Sequence, residues 1–160
     1  NVCVSVSKQH LLPFHRQYKT SRIFNAGFKR CESMGIQVYL NPQFAKELQR
    51  FPIKDQEKIT NFILHIRNYG FVGLAGRNKN SDEVDEDDPE WLDKVTYAQK
   101  YNLWHYHIGI PKYDTTKGCG DWTSEYIIHY VMQENFVTLV DFNCHPPFKL
   151  PSKNYLEPTI

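Results

Sequence analysis

Apolar residues repeat first at helical and later at strand spacing along this chain. The run IQVYL, Ile36 to Leu40, is β-branched and aromatic and reads as a strand, after which Asn41-Pro42 supplies an N-cap and a favourable first helical residue. Phe44, Ala45, Leu48 and Phe51 follow at helical spacing up to Pro52, and Ile53, Ile59, Phe62, Ile63 and Ile66 define a second amphipathic helix ending near Gly70. Together they predict a helical hairpin. Residues 70–80 carry three glycines, and Ser81 to Glu90 packs seven acids into ten positions, so both stretches read as loop. From Leu103 the period becomes two. Trp104, Tyr106, Ile108 and Ile110 alternate with Leu103, His105, His107 and Gly109, which gives the strand one strongly apolar face and places both histidines on the other. After an excursion from Pro111 to Thr123, the runs EYIIHYVM and FVTLVDF flank Gln133-Glu134-Asn135, a three-residue hairpin connection. Cys144-His145-Pro146-Pro147 ends the last strand, because consecutive prolines cannot donate to a ladder, and the tail to Ile160 is expected to be irregular and draped on the surface. The expected fold is α+β, a helical hairpin packed on a small antiparallel sheet.

Length and composition refine this picture in a few places. A chain of 160 residues with 41% hydrophobic content suits one core. Residues 1–33 show no sustained period and are read as an N-terminal extension ahead of a domain spanning 34–160. Either Met34 is the natural start and the extension comes from upstream translation, or the extension is an authentic helical arm. Six Lys/Arg against one acid fall in 1–33, which leaves 13 basic and 17 acidic residues, a net −4, from Met34 onward. Such a domain is no broad nucleic-acid glove, and any RNA contact must be a local patch or be assisted by a larger partner. No run approaches the length of a membrane span and the first residues lack the plan of a secretory signal, so membrane contact is not expected and a cytoplasmic location is. Cys3, Cys31, Cys119 and Cys144 form no CxxC pair and are read as reduced thiols.

The order strand, helical hairpin, loop, three strands resembles the RelE/ParE toxin superfamily over about residues 34 to 150. IQVYLNPQFAKELQRF is similar to that family's opening strand and first helix, and EYIIHYVMQENFVTLVDF to its tyrosine-bearing strand, short turn and apolar final strand. The insert at Asn78 to Glu90 and the excursion at Pro111 to Thr123 depart from the pattern. The resemblance implies a toxin-like endoribonuclease that cleaves mRNA in association with the ribosome and is controlled by an antitoxin protein, with the free edge at Ile36 to Leu40 as a docking rail. Within WHYHI, His105 and His107 match the alternating basic positions of the ribonuclease members, and His145, just after DFNC, matches the basic position ending the last strand. The middle-strand arginine is missing. Ile127 stands nearest its place, and His129, two residues on, is the available replacement. Lys149 and Tyr155 are the candidates for the family's tail residues.

Histidine suits the implied chemistry. Cleavage by the 2′-hydroxyl needs a base for that proton, stabilisation of charge at phosphorus and an acid for the 5′-oxygen, and imidazole near neutral pKa serves as either base or acid without metal or cofactor. Lys94, Lys112 and Lys149 are expected to hold phosphate, with Tyr155 as a further RNA contact. Plainer roles stand beside each of these. His105 and His107 also suit a solvated sheet face, His129 a satisfied near-core position, and His145 simple strand termination. Trp104, Tyr106, Tyr126 and Tyr130 suit core packing better than base stacking, the acidic run suits a solvated loop, and His10, His15 and His65 are assigned to structure or solvent. Two other functions fit the same residues: a non-nuclease binding module such as a gyrase inhibitor, indifferent to the histidines, and a His-ligated metal-dependent enzyme, since His-x-His on a strand aligns two ligands.

Overall fold

The computed structural model describes residues 35–157. The extension at 1–33, with its two readings of Met34 and with His10 and His15, lies outside the described residues. Within them the order is β1 (Gln37–Leu40), α1 (Pro42–Leu48), α2 (Ile53–Tyr69), β2 (Asn78–Asn80), α3 (Trp91–Tyr101), β3 (Leu103–Ile110), β4 (Tyr126–Met132), β5 (Phe136–Cys144) and a short 3₁₀ turn at Lys153–Tyr155. The fold is α+β, as expected, but the sheet is mixed rather than antiparallel. Its order is β1-β5-β4-β3-β2, and β1 runs parallel to β5 while the other pairs are antiparallel. Parallel pairing follows from the helical hairpin, because α1 and α2 carry the chain back across one sheet face before β2 begins.

Local chemistry sets the element ends. Asn41 Oδ1 accepts from the amides of Gln43 (2.8 Å) and Phe44 (3.1 Å), and Pro42 needs no partner at the first helical position, so α1 starts where the sequence indicates. Phe44, Ile59, Phe62 and Ile66 bury against Val38, Tyr106, Ile108, Ile128, Tyr130, Val137 and Leu139, which forms the main core. Phe62 stacks on Tyr106 with ring centroids 4.6 Å apart. This packing accounts for the core assignment of Tyr106 and Tyr130.

Three further differences concern the opposite face. Residues 91–101, to which apolar pattern assigns nothing, form α3, whose fully buried position is the small Ala98 flanked by Tyr97 and Tyr101. Asn102 ends it in the left-handed region at φ 48°, which asparagine tolerates, and its side-chain amide donates to the Met132 carbonyl at 2.7 Å. Within the stretch read as loop, β2 pairs Asn78, Lys79 and Asn80 with Tyr106, His105 and Trp104. A three-residue polar strand is held by backbone bonds and leaves no apolar signature. The tail is not simply draped: Leu150 and Leu156 join Ala98, Leu103 and Val140 in a second core, and Tyr155 packs against both cores.

Candidate functional site: a buried histidine cluster

Sheet register brings the histidines together. Opposite residues of neighbouring strands share a face, and His105 of β3 lies opposite both Lys79 of β2 and His129 of β4, while His107 lies opposite Ile127. His145 follows β5 directly, where its N–H donates to the Glu125 carbonyl at 2.7 Å and so extends the ladder past the end of β4. Ring centroids of His107 and His145 are 5.5 Å apart, and His105 stands 6.0 to 6.1 Å from His107, His129 and His145.

This face is not solvated. His105, His107 and His129 are 4%, 3% and 0% exposed. The Phe148 ring lies against three of the four histidines, with centroids 5.0 Å from His105, 5.3 Å from His145 and 6.0 Å from His129. Burial is the first cause of a lowered pKa at each histidine, since low polarity penalises the imidazolium. For His105, burial and then the neighbouring histidines and Lys79 bring it to about 2. His107 falls to about 4, with the Ser124 backbone opposing the fall, and His129 to about 3, with the Lys149 backbone opposing it. Burial, Arg77 and Lys79 lower His145. All four rings are therefore neutral near pH 7.

Hydrogen bonding separates the four rings. Ser81, itself fully buried, places Oγ 3.1 Å from His105 Nδ1. His107 Nδ1 lies 3.0 Å from both the amide nitrogen and the carbonyl oxygen of Ser124. Ser124 also closes the irregularity in β3 between His107 and Ile110, where its Oγ accepts from the Gly109 amide at 3.0 Å and donates to the Tyr126 carbonyl at 2.8 Å. Gly109 is required there: its φ is +74°, and a Cβ would stand 2.5 Å from the Tyr113 ring. In contrast, both nitrogens of His129 and Nδ1 of His145 are buried with no hydrogen-bond partner of ordinary geometry. The Lys149 backbone makes at most a loose hydrogen bond to His129, outside ordinary geometry but close enough to oppose the fall in its pKa.

Two of the four rings, His107 and His145, line a cleft. A depression of about 720 Å³ is lined by His107, His145, Arg77, Lys112, Tyr113 and Glu125 among others. The Arg77 Nε donates to Asp121 Oδ1 at 2.5 Å, which raises the guanidinium pKa and lowers that of the carboxylate. Arg77 escaped the sequence reading because it sits in a glycine-rich stretch without pattern, and only the pairing of β2 with β3 brings it beside the histidines. Of the expected phosphate and RNA contacts, Lys112 lines this cleft. Lys149 is exposed beside a different cleft, and Lys94 lines that second cleft while bonded to Asp88 at 2.6 Å. Tyr155 is occupied elsewhere, donating to the Glu47 carboxylate at 2.8 Å, and burial followed by that carboxylate pushes its phenol up to about 12. His65 lies outside the cluster, with Nε2 2.8 Å from the Val72 carbonyl.

Cys119 is disulfide-bonded, against the reading of four thiols, while Cys144 is a free thiol. Among the described residues no helix is long and apolar enough to cross a membrane. Nor does any group of three or more His, Cys, Asp or Glu side chains among them converge in a way that could hold a metal ion. Fold and site thus define an α+β protein with a mixed five-stranded sheet and a neutral histidine cluster opening beside an arginine. No protein-family model, curated protein or solved structure matches the chain.

Proposed function

We propose that this protein is a RelE/ParE-type toxin, a metal-independent endoribonuclease that cleaves mRNA presented by the ribosome and, more slowly, free RNA, with His107 and His145 as its acid and base. The observation that carries the reading is that these two rings, 5.5 Å apart, line one open cleft with Arg77 and Lys112. The run from β1 through the α1–α2 hairpin to β3, β4 and β5 supports it. One imidazole takes the 2′-hydroxyl proton as the 2′-oxygen bonds to phosphorus, and the other protonates the departing 5′-oxygen. The products are a 2′,3′-cyclic phosphate and a 5′-hydroxyl. An acid must hold a proton, and the phosphodiester anion lying between the rings raises the pKa of the ring it touches. Arg77 and Lys112 stabilise the charge that develops at phosphorus, the role left open by the missing middle-strand arginine.

His105 and His129 are assigned supporting rather than contact roles in the closed structure, because neither lines the cleft. An antitoxin is the expected regulator, and the free edge of β1 is its proposed docking rail. Action on mRNA places the protein in the cytoplasm. The Cys119 disulfide stands against that location, since disulfides persist mainly in oxidising compartments. Inducing the chain in bacteria beside its His107→Ala/His145→Ala variant tests the reading: the parent arrests growth and creates new mRNA ends by primer extension, and the folded variant does neither. Equal behaviour of the two would instead favour a binding module on this fold.

A further inference from the structure

Phe148 stands between two clefts. Its ring meets His145, which lines the first, and itself lines a second of about 630 Å³ together with Tyr97, Lys94, Lys149 and Lys153. The segment carrying it is anchored at both ends, by the His145 amide on the Glu125 carbonyl at 2.7 Å and by the Tyr97 hydroxyl donating to the Pro151 carbonyl at 2.9 Å. Between these anchors Pro146 and Pro147 have no N–H to donate, and residues 146–150 are held down by side-chain packing of Phe148 and Leu150 and by a loose contact of the Lys149 backbone with His129. The closed arrangement leaves both nitrogens of His129 and Nδ1 of His145 without a hydrogen bond of ordinary geometry beneath it, and His129 has only the loose contact with the Lys149 backbone. Unpartnered buried polar atoms disfavour the closed state, and apolar burial of the Phe148 ring favours it. Opposed terms at one segment are the condition for local opening well below global unfolding.

We propose that residues 146–150 are a strap that lifts from the sheet, with Phe148 as its plug, so that the two clefts join into one channel for a single RNA strand with His105 on its floor. The identity of the strand rests on the ribonuclease reading; the opening does not. Lifting the ring lets water or substrate reach the orphaned nitrogens and adds a third histidine to the two already lining the first cleft. It also brings Lys149 and Lys153 of the second cleft into line with Arg77, on the side of that cleft away from Glu90, Asp93 and the Lys94 paired with Asp88, giving the strand cationic contacts on both sides of the reacting phosphate.

Diethyl pyrocarbonate, which acylates neutral imidazole, tests the strap on the whole wild-type chain at pH 7, with modified residues located by mass spectrometry. The proposal requires His105 to react far faster than the molecule unfolds globally, as timed by circular dichroism, and requires Phe148→Ala to raise that rate about tenfold. Reaction of wild-type His105 only at the global unfolding rate overturns the strap, whatever the variant does. A 2′-O-methyl oligoribonucleotide added to the same reaction reports separately on the ribonuclease reading. Protection of His107 and His145 with inert His105 keeps that reading and removes the strap, whereas reactive His105 with no protection by RNA keeps the strap and removes the reading.

Discussion

The ring centroids of His107 and His145 lie 5.5 Å apart although 38 positions separate the two residues in the chain, one inside β3 and the other one residue past β5. Two bonds set this relationship: Ser124 holds Nδ1 of the first, and the Glu125 carbonyl holds the backbone of the second. Adjacent residues of the segment leading into β4 therefore position both rings. Replacing Ser124 with alanine keeps the amide that meets His107 Nδ1 but removes the hydroxyl that braces Gly109 and Tyr126, and we expect it to lower thermal stability and RNA cleavage together, as measured by a melting curve beside initial rates.

Acid should unfold this protein earlier than its carboxylates alone would dictate. Histidines 105, 107 and 129 are neutral in the folded state down to about 2, 4 and 3, while in the unfolded chain they take up protons near pH 6.5. Below pH 6.5 the unfolded state binds more protons, so the stability these groups contribute is complete above that pH and is lost as pH falls toward the folded values. Three such groups give a slope approaching about 4 kcal/mol per pH unit below pH 6. Asp141, whose carboxyl burial pushes up, acts in the opposite sense but is a single group. Urea midpoints at pH 7.5 and 5.5 check this, and equal midpoints would mean that the rings are already charged or exposed.

Substituting His129 separates packing from polarity. Both its nitrogens are buried without a hydrogen bond of ordinary geometry, so His129→Leu removes a poorly satisfied polar group at nearly constant volume. The variant should be more stable by about 1 kcal/mol. A loss beyond about 2 kcal/mol on denaturant melting would reveal a hidden partner for the ring.

Arg77 and Asp121 should give opposite functional results with little effect on stability, because a half-exposed ion pair contributes only about 0–1 kcal/mol. Arg77→Met removes the arginine that lines the cleft with His107 and His145 and should lower kcat about 100-fold. Asp121→Asn frees the guanidinium for phosphate and should lower KM for RNA. Steady-state kinetics on a short oligonucleotide would register both changes.

Much of the main core was legible because its residues repeat with the period of the element that buries them. Asn41-Pro42 marks the start of α1, Ile59, Phe62 and Ile66 mark the inner face of α2, and Tyr106 and Ile108 mark that of β3. Ile53 also fits the helical stripe but is 67% exposed, since it lies in the first turn of α2 beyond the sheet. The opposite face carries no such signal. Alternation correctly places His105 and His107 together, but it says nothing of what covers them, and the cover comes from Phe148 in a proline-rich tail. For α3 the buried stripe is small, for β2 the holding bonds are backbone, and Arg77 joins the site only through β2. Each of these depends on contacts distant in sequence, where periodicity is silent.

The central claim is tested most directly by incubating the purified protein with RNA in excess chelator and analysing the ends produced, beside folded His107→Gln and His145→Gln variants. The account predicts 2′,3′-cyclic phosphate and 5′-hydroxyl ends from the parent and a loss of about 100-fold or more in rate for each variant. Cleavage that needs a divalent metal, or that survives both substitutions unchanged, would contradict it.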